Sequence, residues 1–152
     1  MRYLAIDYGE RRMGLAICDP MEILSSPYRV LDQPERLLEE LEAIIRREAV
    51  EALVVGLPIN MDGSEGFQAR AVRSFVNRLA NQTDLPIYFQ DERLSTYAAR
   101  EKLKQAKGRA RKKKDPPVDA LAAAEILSTF LENKPRQAVN DDTDLQGKDI
   151  ES

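Results

Sequence analysis

Among its 152 residues the chain has no histidine, no tryptophan and a single cysteine. Without histidine, neither a Ser–His nor a Cys–His catalytic pair can be built, and a zinc centre of imidazole and thiolate ligands is excluded for the same reason. Cys18 stands alone in an apolar run; it has no partner for an internal disulfide and is expected to pack in the core, as free cysteines commonly do. No apolar run approaches the roughly 18–20 residues that span a membrane. The N-terminus also lacks the basic-then-apolar pattern of a signal peptide, so a cytoplasmic protein with no membrane partner is expected. If the chain is an enzyme, carboxylate and metal chemistry leads the remaining options.

What is present fits one folded domain. Apolar residues make up 43% of the chain and charged residues 32%, the balance of a globular protein with a real core and a well-charged surface. The net charge of −3 hides a segregation. From Arg100 to Lys114 nine residues are basic and only Glu101 is acidic, whereas the last residues carry Asp141, Asp142, Asp144, Asp149 and Glu151 against Lys148. An acidic total therefore leaves a nucleic-acid partner open, because the field that matters is local.

Tyr3–Asp7 reads as a buried strand, and Met13–Cys18 as a second paired to it through the Gly9–Arg12 turn. Ile23–Leu31 is a candidate third strand, with Pro27 pointing to an edge or irregular position. Asp32-Gln33-Pro34-Glu35 has the pattern of a helix start, a capping acid, an early proline and a glutamate three residues on. That helix is expected to reach about Glu48 with Leu37, Leu38, Leu41, Ile44 and Ile45 on one face. Ala52–Val55 is a short buried strand that opens at Gly56-Leu57-Pro58 into a polar loop. Phe67, Ala71, Val72, Phe75, Val76 and Leu79 then recur at helical spacing. Pro86–Gln90 is the next strand, and Ser95 or Thr96 is placed to cap a helix that decays into the basic run. A last helix is expected over about Val118–Leu131. Three antiparallel strands followed by βα units predict an α/β fold, a mixed five-stranded sheet with helices on both faces. Beyond Asn133 the polar, acidic composition predicts a disordered tail, which divides the chain into a domain over 1–133 and a tail over 134–152.

Three acids stand out by context. Asp7 ends an apolar strand beside a glycine turn, Glu92 ends another, and Asp119 opens the last helix. Carboxylates from two strand ends and a helix start suit a hard divalent cation, which takes oxygen ligands. Each also has a plainer role available. Asp119 would stabilise its helix dipole by about 0.3–1 kcal/mol with no catalysis, Glu92 could pair with Arg93 or cap a helix, and Asp7 could pair with Arg11 or Arg12. Asp91 competes with Glu92 as the second ligand, although adjacent strand residues face opposite sides of a sheet.

Four blocks in order then resemble the YqgF/RuvX family. They are Ile6-Asp7-Tyr8-Gly9 with Arg12, Gly14 and Ala16; Val55-Gly56-Leu57-Pro58 with Asn60, Asp62 and Gly63; Asp91-Glu92-Arg93-Leu94-Ser95-Thr96; and Val118-Asp119-Ala120 through Ala122-Ala123. These are bacterial RNase H-like proteins called Holliday junction resolvases or pre-16S rRNA nucleases, and the likeness covers about residues 1–131. It implies an RNase H-like fold and a metal-dependent nuclease in which Asp7, Glu92 and Asp119 are both catalytic and ligands of Mg²⁺ or Mn²⁺. Without metal, such a site should be strained by like-charge repulsion. The resemblance also puts the Asn60–Gly63 loop near the site, and makes Arg12, Arg93, Ser95 and Thr96 candidates for phosphate contact. The basic residues Lys107, Arg109, Arg111, Lys112, Lys113 and Lys114 lead to Asp119 and would draw in a polyanion with strong salt dependence. With only Tyr97 nearby among aromatics, recognition of backbone and shape is expected rather than base readout. Pro116 and Pro117 look unusual for the family, and no fourth acid is obvious.

The reading that results is a nuclease acting on structured nucleic acid, as a monomer or homodimer, with precursor 16S rRNA preferred and branched DNA second. A non-catalytic nucleic-acid-binding factor keeps the same fold and basic loop. An actin-like ATPase would need two such domains around its nucleotide.

Overall fold

In the computed structural model, residues 1–94, Gln105, 117–134 and 138–140 are described. The five strands are β1 (Tyr3–Asp7), β2 (Met13–Cys18), β3 (Ser25–Leu31), β4 (Ala52–Leu57) and β5 (Ile87–Asp91). Three helices are described, α1 (Leu37–Arg47), α2 (Phe67–Ala80) and α3 (Val118–Glu132). The sheet order is β3-β2-β1-β4-β5. β1 pairs antiparallel with β2 and parallel with β4, β2 antiparallel with β3, and β4 parallel with β5. This mixed five-stranded sheet is the expected one.

Alternation along the central strands divides the core in two. Leu4, Ile6, Leu53 and Val55 face α1 and α2, where they meet Leu41, Ile44, Val72 and Phe75. Tyr3, Ala5, Ala52 and Val54 face α3 and meet Ala123, Leu127 and Phe130. Both faces of β1 and β4 are therefore buried, which is why these strands read as continuous apolar runs. Full burial of each large side chain contributes roughly 1.5–3 kcal/mol. Cys18 packs in the α3-side core as expected, with its Sγ accepting from the Tyr3 amide at 3.2 Å.

One contact shows how closely α3 approaches the sheet. A Cβ on Gly14 of β2 would lie 2.0 Å from the carbonyl oxygen of Asp119. Glycine there lets the first turn of α3 rest directly on the sheet beside Asp7, to which Gly14 is paired in register.

Several elements differ from expectation for identifiable reasons. β3 starts at Ser25, because the Asp19 carboxylate accepts the amides of Met21, Ile23 and Leu24 and folds those residues into a turn. Pairing between β2 and β3 slips next to Pro27, at an edge strand as expected. The start of α1 is a separate 3-10 turn, Pro34–Arg36, and neither it nor α1 has a side-chain cap. Phe67, which opens the run of helically spaced apolar residues, is 70% exposed at the first position of α2. The disordered tail expected from 134 does not describe Ala138–Asn140, which lie against β5: the Val139 amide donates to the Ile87 carbonyl at 2.7 Å. No helix among the described residues is long and apolar enough to cross a membrane.

Candidate active site at the strand ends

The parallel strands β1, β4 and β5 end on the same side of the sheet, the position where open α/β sheets leave a crevice for ligands. Asp7 is the last residue of β1, and Glu92 follows the last residue of β5. The two acids line a cavity of about 280 Å³ with Gln90, Glu125, Ile126 and Thr129. They also line a wider neighbouring cleft of about 490 Å³, with Tyr8, Gly9, Arg11, Phe67 and Gln68 on its walls. Two of the three acids singled out in the sequence are thus brought together.

Between them lies Gly56 of β4. A Cβ at this position would sit 2.5 Å from Ile126 Cδ1 and 2.6 Å from Glu92 Oε1. The missing side chain is the space that the Glu92 carboxylate occupies. Burial there, reinforced by the charges of Asp7, Glu125 and Asp91, raises the Glu92 carboxyl from 4.5 to about 7. Desolvation is the largest cause, and the like charges add to it.

Asp91 has a different fate. Arg93 donates to its carboxylate from Nε at 3.1 Å and from Nη2 at 2.7 Å, and the Arg93 amide donates at 2.9 Å. The guanidinium holds the Asp91 carboxyl below its ordinary range. Arg93 also reaches the Asn60 carbonyl at 3.4 Å, which ties the end of β5 to the loop before α2. In that loop Asp62 accepts from the amide and hydroxyl of Ser64, and Arg73 of α2 forks onto Glu65. Asn60, Asp62 and Gly63 therefore build a firm turn next to the cleft.

Asp119 is not among the residues lining either space. Its carboxylate pairs with Arg12 Nε at 3.7 Å, and both side chains reach solvent. Among the described residues, no three histidine, cysteine, aspartate or glutamate side chains are grouped closely enough to hold a metal ion. Ser95, Thr96, Lys107, Arg109, Arg111, Lys112, Lys113 and Lys114 lie outside the described residues. Glu125 is the residue that sequence reasoning missed. The signal was helical spacing, because Ala122, Glu125, Ile126 and Thr129 form one stripe of α3 facing the cavity.

A family model described as RuvX, Holliday junction resolvase, matches residues 1–133. The chain belongs to the RuvX family. A relative from Maridesulfovibrio salexigens, named "Putative pre-16S rRNA nuclease", is 43% identical over 133 residues, covering 86% of this chain and 98% of its own. A second of the same name from Roseiflexus sp. is 41% identical over 140 residues, covering 88% and 95%. Among solved structures, Thermus thermophilus RuvC in complex with a Holliday junction substrate superposes with a TM-score of 0.60 at 15% identity, over 91% of this chain and all of that one. A fowlpox virus resolvase in complex with Holliday junction DNA gives 0.51 at 10% identity, over 87% and 97%. At these identities the structures establish the RNase H-like fold, and the family carries the nuclease assignment.

Proposed function

We propose that this chain is a cytoplasmic, divalent-metal-dependent nuclease, with residues 1–133 as its nuclease domain, that hydrolyses phosphodiester bonds in structured RNA and processes precursor 16S rRNA. The observation that carries the reading is the meeting of Asp7 and Glu92 at the strand ends, with Glu92 raised to about 7. Two carboxylates meeting at one cavity offer an all-oxygen donor set, which fits Mg²⁺ or Mn²⁺. Such an ion, when bound, would turn a water into a nucleophile and stabilise the leaving oxygen.

The chain's own residues do the rest. Asp7 and Glu92 would hold the ion, and Glu92 would give up its proton as the ion binds. Gly56 keeps the space into which Glu92 projects. Asp119, which lines neither cavity and is paired with Arg12, is proposed as the third acid, joining the site once that pair is released. Its partner Arg12, largely exposed, would exchange that carboxylate for a substrate phosphate. Arg11, on the wall of the wider cleft, is a second cation within reach of the polyanion. Arg93 is committed to Asp91 and is better placed to brace the loop than to bind phosphate. The basic run from Lys107 to Lys114, with Ser95 and Thr96, is proposed as the further nucleic-acid contact.

The family description favours a second reading, resolution of four-way DNA junctions. That reaction on two symmetric strands requires a two-fold dimer. Incubating the protein in Mg²⁺ with a labelled precursor 16S rRNA end and with a four-way DNA junction, side by side, separates the two. Preferential cutting of the RNA is the expected result, and cutting of the junction alone would replace it with the second reading.

A further inference from the structure

Phe67 lies on the wall of the wider cleft, the one that Asp7 and Glu92 also line. The buried face of α2 is made by Ala69, Val72, Phe75, Val76 and Leu79, and at 3.6 residues per turn position 67 falls well off that face. Phe67 accordingly belongs to neither core cluster and keeps most of its surface in solvent. The other ring on the cleft, Tyr8, is already occupied: it stacks on the buried Phe75 with centroids 4.4 Å apart and planes 19° apart. A single exposed apolar side chain on an open surface is ordinary. Phe67 differs by its place, a concave wall shared with two acids and with Arg11.

We propose that Phe67 is a stacking platform for an unpaired nucleobase, so that the cleft takes nucleic acid with an unpaired nucleotide beside the phosphate that reaches Asp7 and Glu92. The inference rests on reading this cleft as a nuclease site, and it names the kind of nucleic acid that enters. In a duplex both faces of a base are covered by its neighbours, so only an unstacked base can offer one to a side chain. Every base has such a face, which makes the subsite selective for unpaired nucleotides and indifferent to sequence. Arg11 on the same wall supplies a cation for the flanking phosphate. A cleft of about 490 Å³ is within the size range of small-ligand sites, which suits one nucleotide. The ring is also presented on a fixed backbone. It starts a helix, and the loop before it is held by Arg93 on the Asn60 carbonyl and by the Arg73 fork on Glu65.

The test titrates the full-length protein, in EDTA to prevent cutting, with a blunt labelled RNA hairpin and with the same hairpin carrying a single-stranded extension. Fluorescence anisotropy gives Kd for each. Phe67→Ala is expected to weaken binding of the extended hairpin about ten-fold, and binding of the blunt one by less than about two-fold. Phe67→Tyr keeps the ring and should bind the extended hairpin within about three-fold of wild type, whereas Phe67→Leu should behave like Phe67→Ala. An equal loss on both hairpins, or no loss on either, would overturn the subsite. Wild-type binding by Phe67→Leu would overturn it as well, since the contact would then need no ring. A lower mass of Phe67→Ala in light scattering would assign the ring to a contact between copies of the chain and also overturn it. Cleavage of the extended hairpin in Mg²⁺ separates this inference from the nuclease reading. Ring-dependent binding by a wild type that cuts neither hairpin would uphold the subsite and remove the nuclease; cutting by wild type with binding indifferent to Phe67→Ala would do the reverse.

Discussion

Replacing Glu92 by glutamine should stabilise the metal-free protein, and by an amount that depends on pH. The side chain sits over Gly56, where burial first and then the charges of Asp7, Glu125 and Asp91 lift its carboxyl from 4.5 to about 7. Between these values the folded chain holds a proton that the unfolded chain has lost, so stability falls as pH rises from about 4.5 to 7 and is level above that. At 1.36 kcal/mol per pH unit, full ionisation costs at most about 3 kcal/mol, and about 2 kcal/mol once partial solvent access is allowed for. Glutamine has the same shape and no charge to bury. Glu92→Gln is therefore expected to gain about 2 kcal/mol at pH 8, or roughly 5 °C in melting temperature, and less than about 1 kcal/mol at pH 5. Chemical denaturation of both proteins in EDTA at the two pH values measures this. An equal change at pH 5 and pH 8, or a loss at pH 8, would refute the argument from burial and like charge.

Other consequences follow from single contacts. Gly56→Ala should push the Glu92 carboxylate out of place, costing about 1–3 kcal/mol of stability and lowering turnover about ten-fold or more, as read by denaturation and by cleavage rate. Gly14→Ala meets backbone at Asp119 and is expected to be the harsher change, at about 3 kcal/mol, with a thermal scan showing loss of the cooperative transition or a large fall in its midpoint. In a urea titration Phe67→Ala should change stability by no more than about 0.5 kcal/mol, whereas Phe75→Ala, buried and stacked on Tyr8 with centroids 4.4 Å apart, should lose about 3–5 kcal/mol.

The strands were the most legible part of the chain. β1, β2 and β4 are apolar runs buried on both faces, and burial leaves an unambiguous mark on composition. Phe67 shows what helical spacing leaves open: it does not tell the first turn of α2, which overhangs the cleft, from the turns that follow it into the core. The start of α1 misled because Asp32-Gln33-Pro34-Glu35 satisfies a capping pattern that the backbone uses for a 3-10 turn instead. That Asp7 and Glu92 meet at one cavity was readable from their places at the ends of two apolar runs. Asp119 was readable as a helix-start acid, but its pairing with Arg12 was not, since that depends on how closely Gly14 lets α3 approach. Glu125 was hidden because a glutamate in mid-helix looks like any solvated position until the opposite wall is known. Ala138–Asn140 were unreadable for a related reason: the bonds that hold them belong to a strand about fifty residues earlier.

Asp7 and Glu92 are proposed as the metal-dependent cutting site. Cleavage of the labelled precursor 16S rRNA end under single-turnover conditions, by wild type and Asp7→Asn in Mg²⁺, in Mn²⁺ and in EDTA, tests it most directly. The expected result is cutting by wild type with either metal, none in EDTA, and a loss of about a thousand-fold or more in Asp7→Asn with RNA binding retained. Cutting by Asp7→Asn at the wild-type rate, or cutting by wild type undiminished in EDTA, would contradict it.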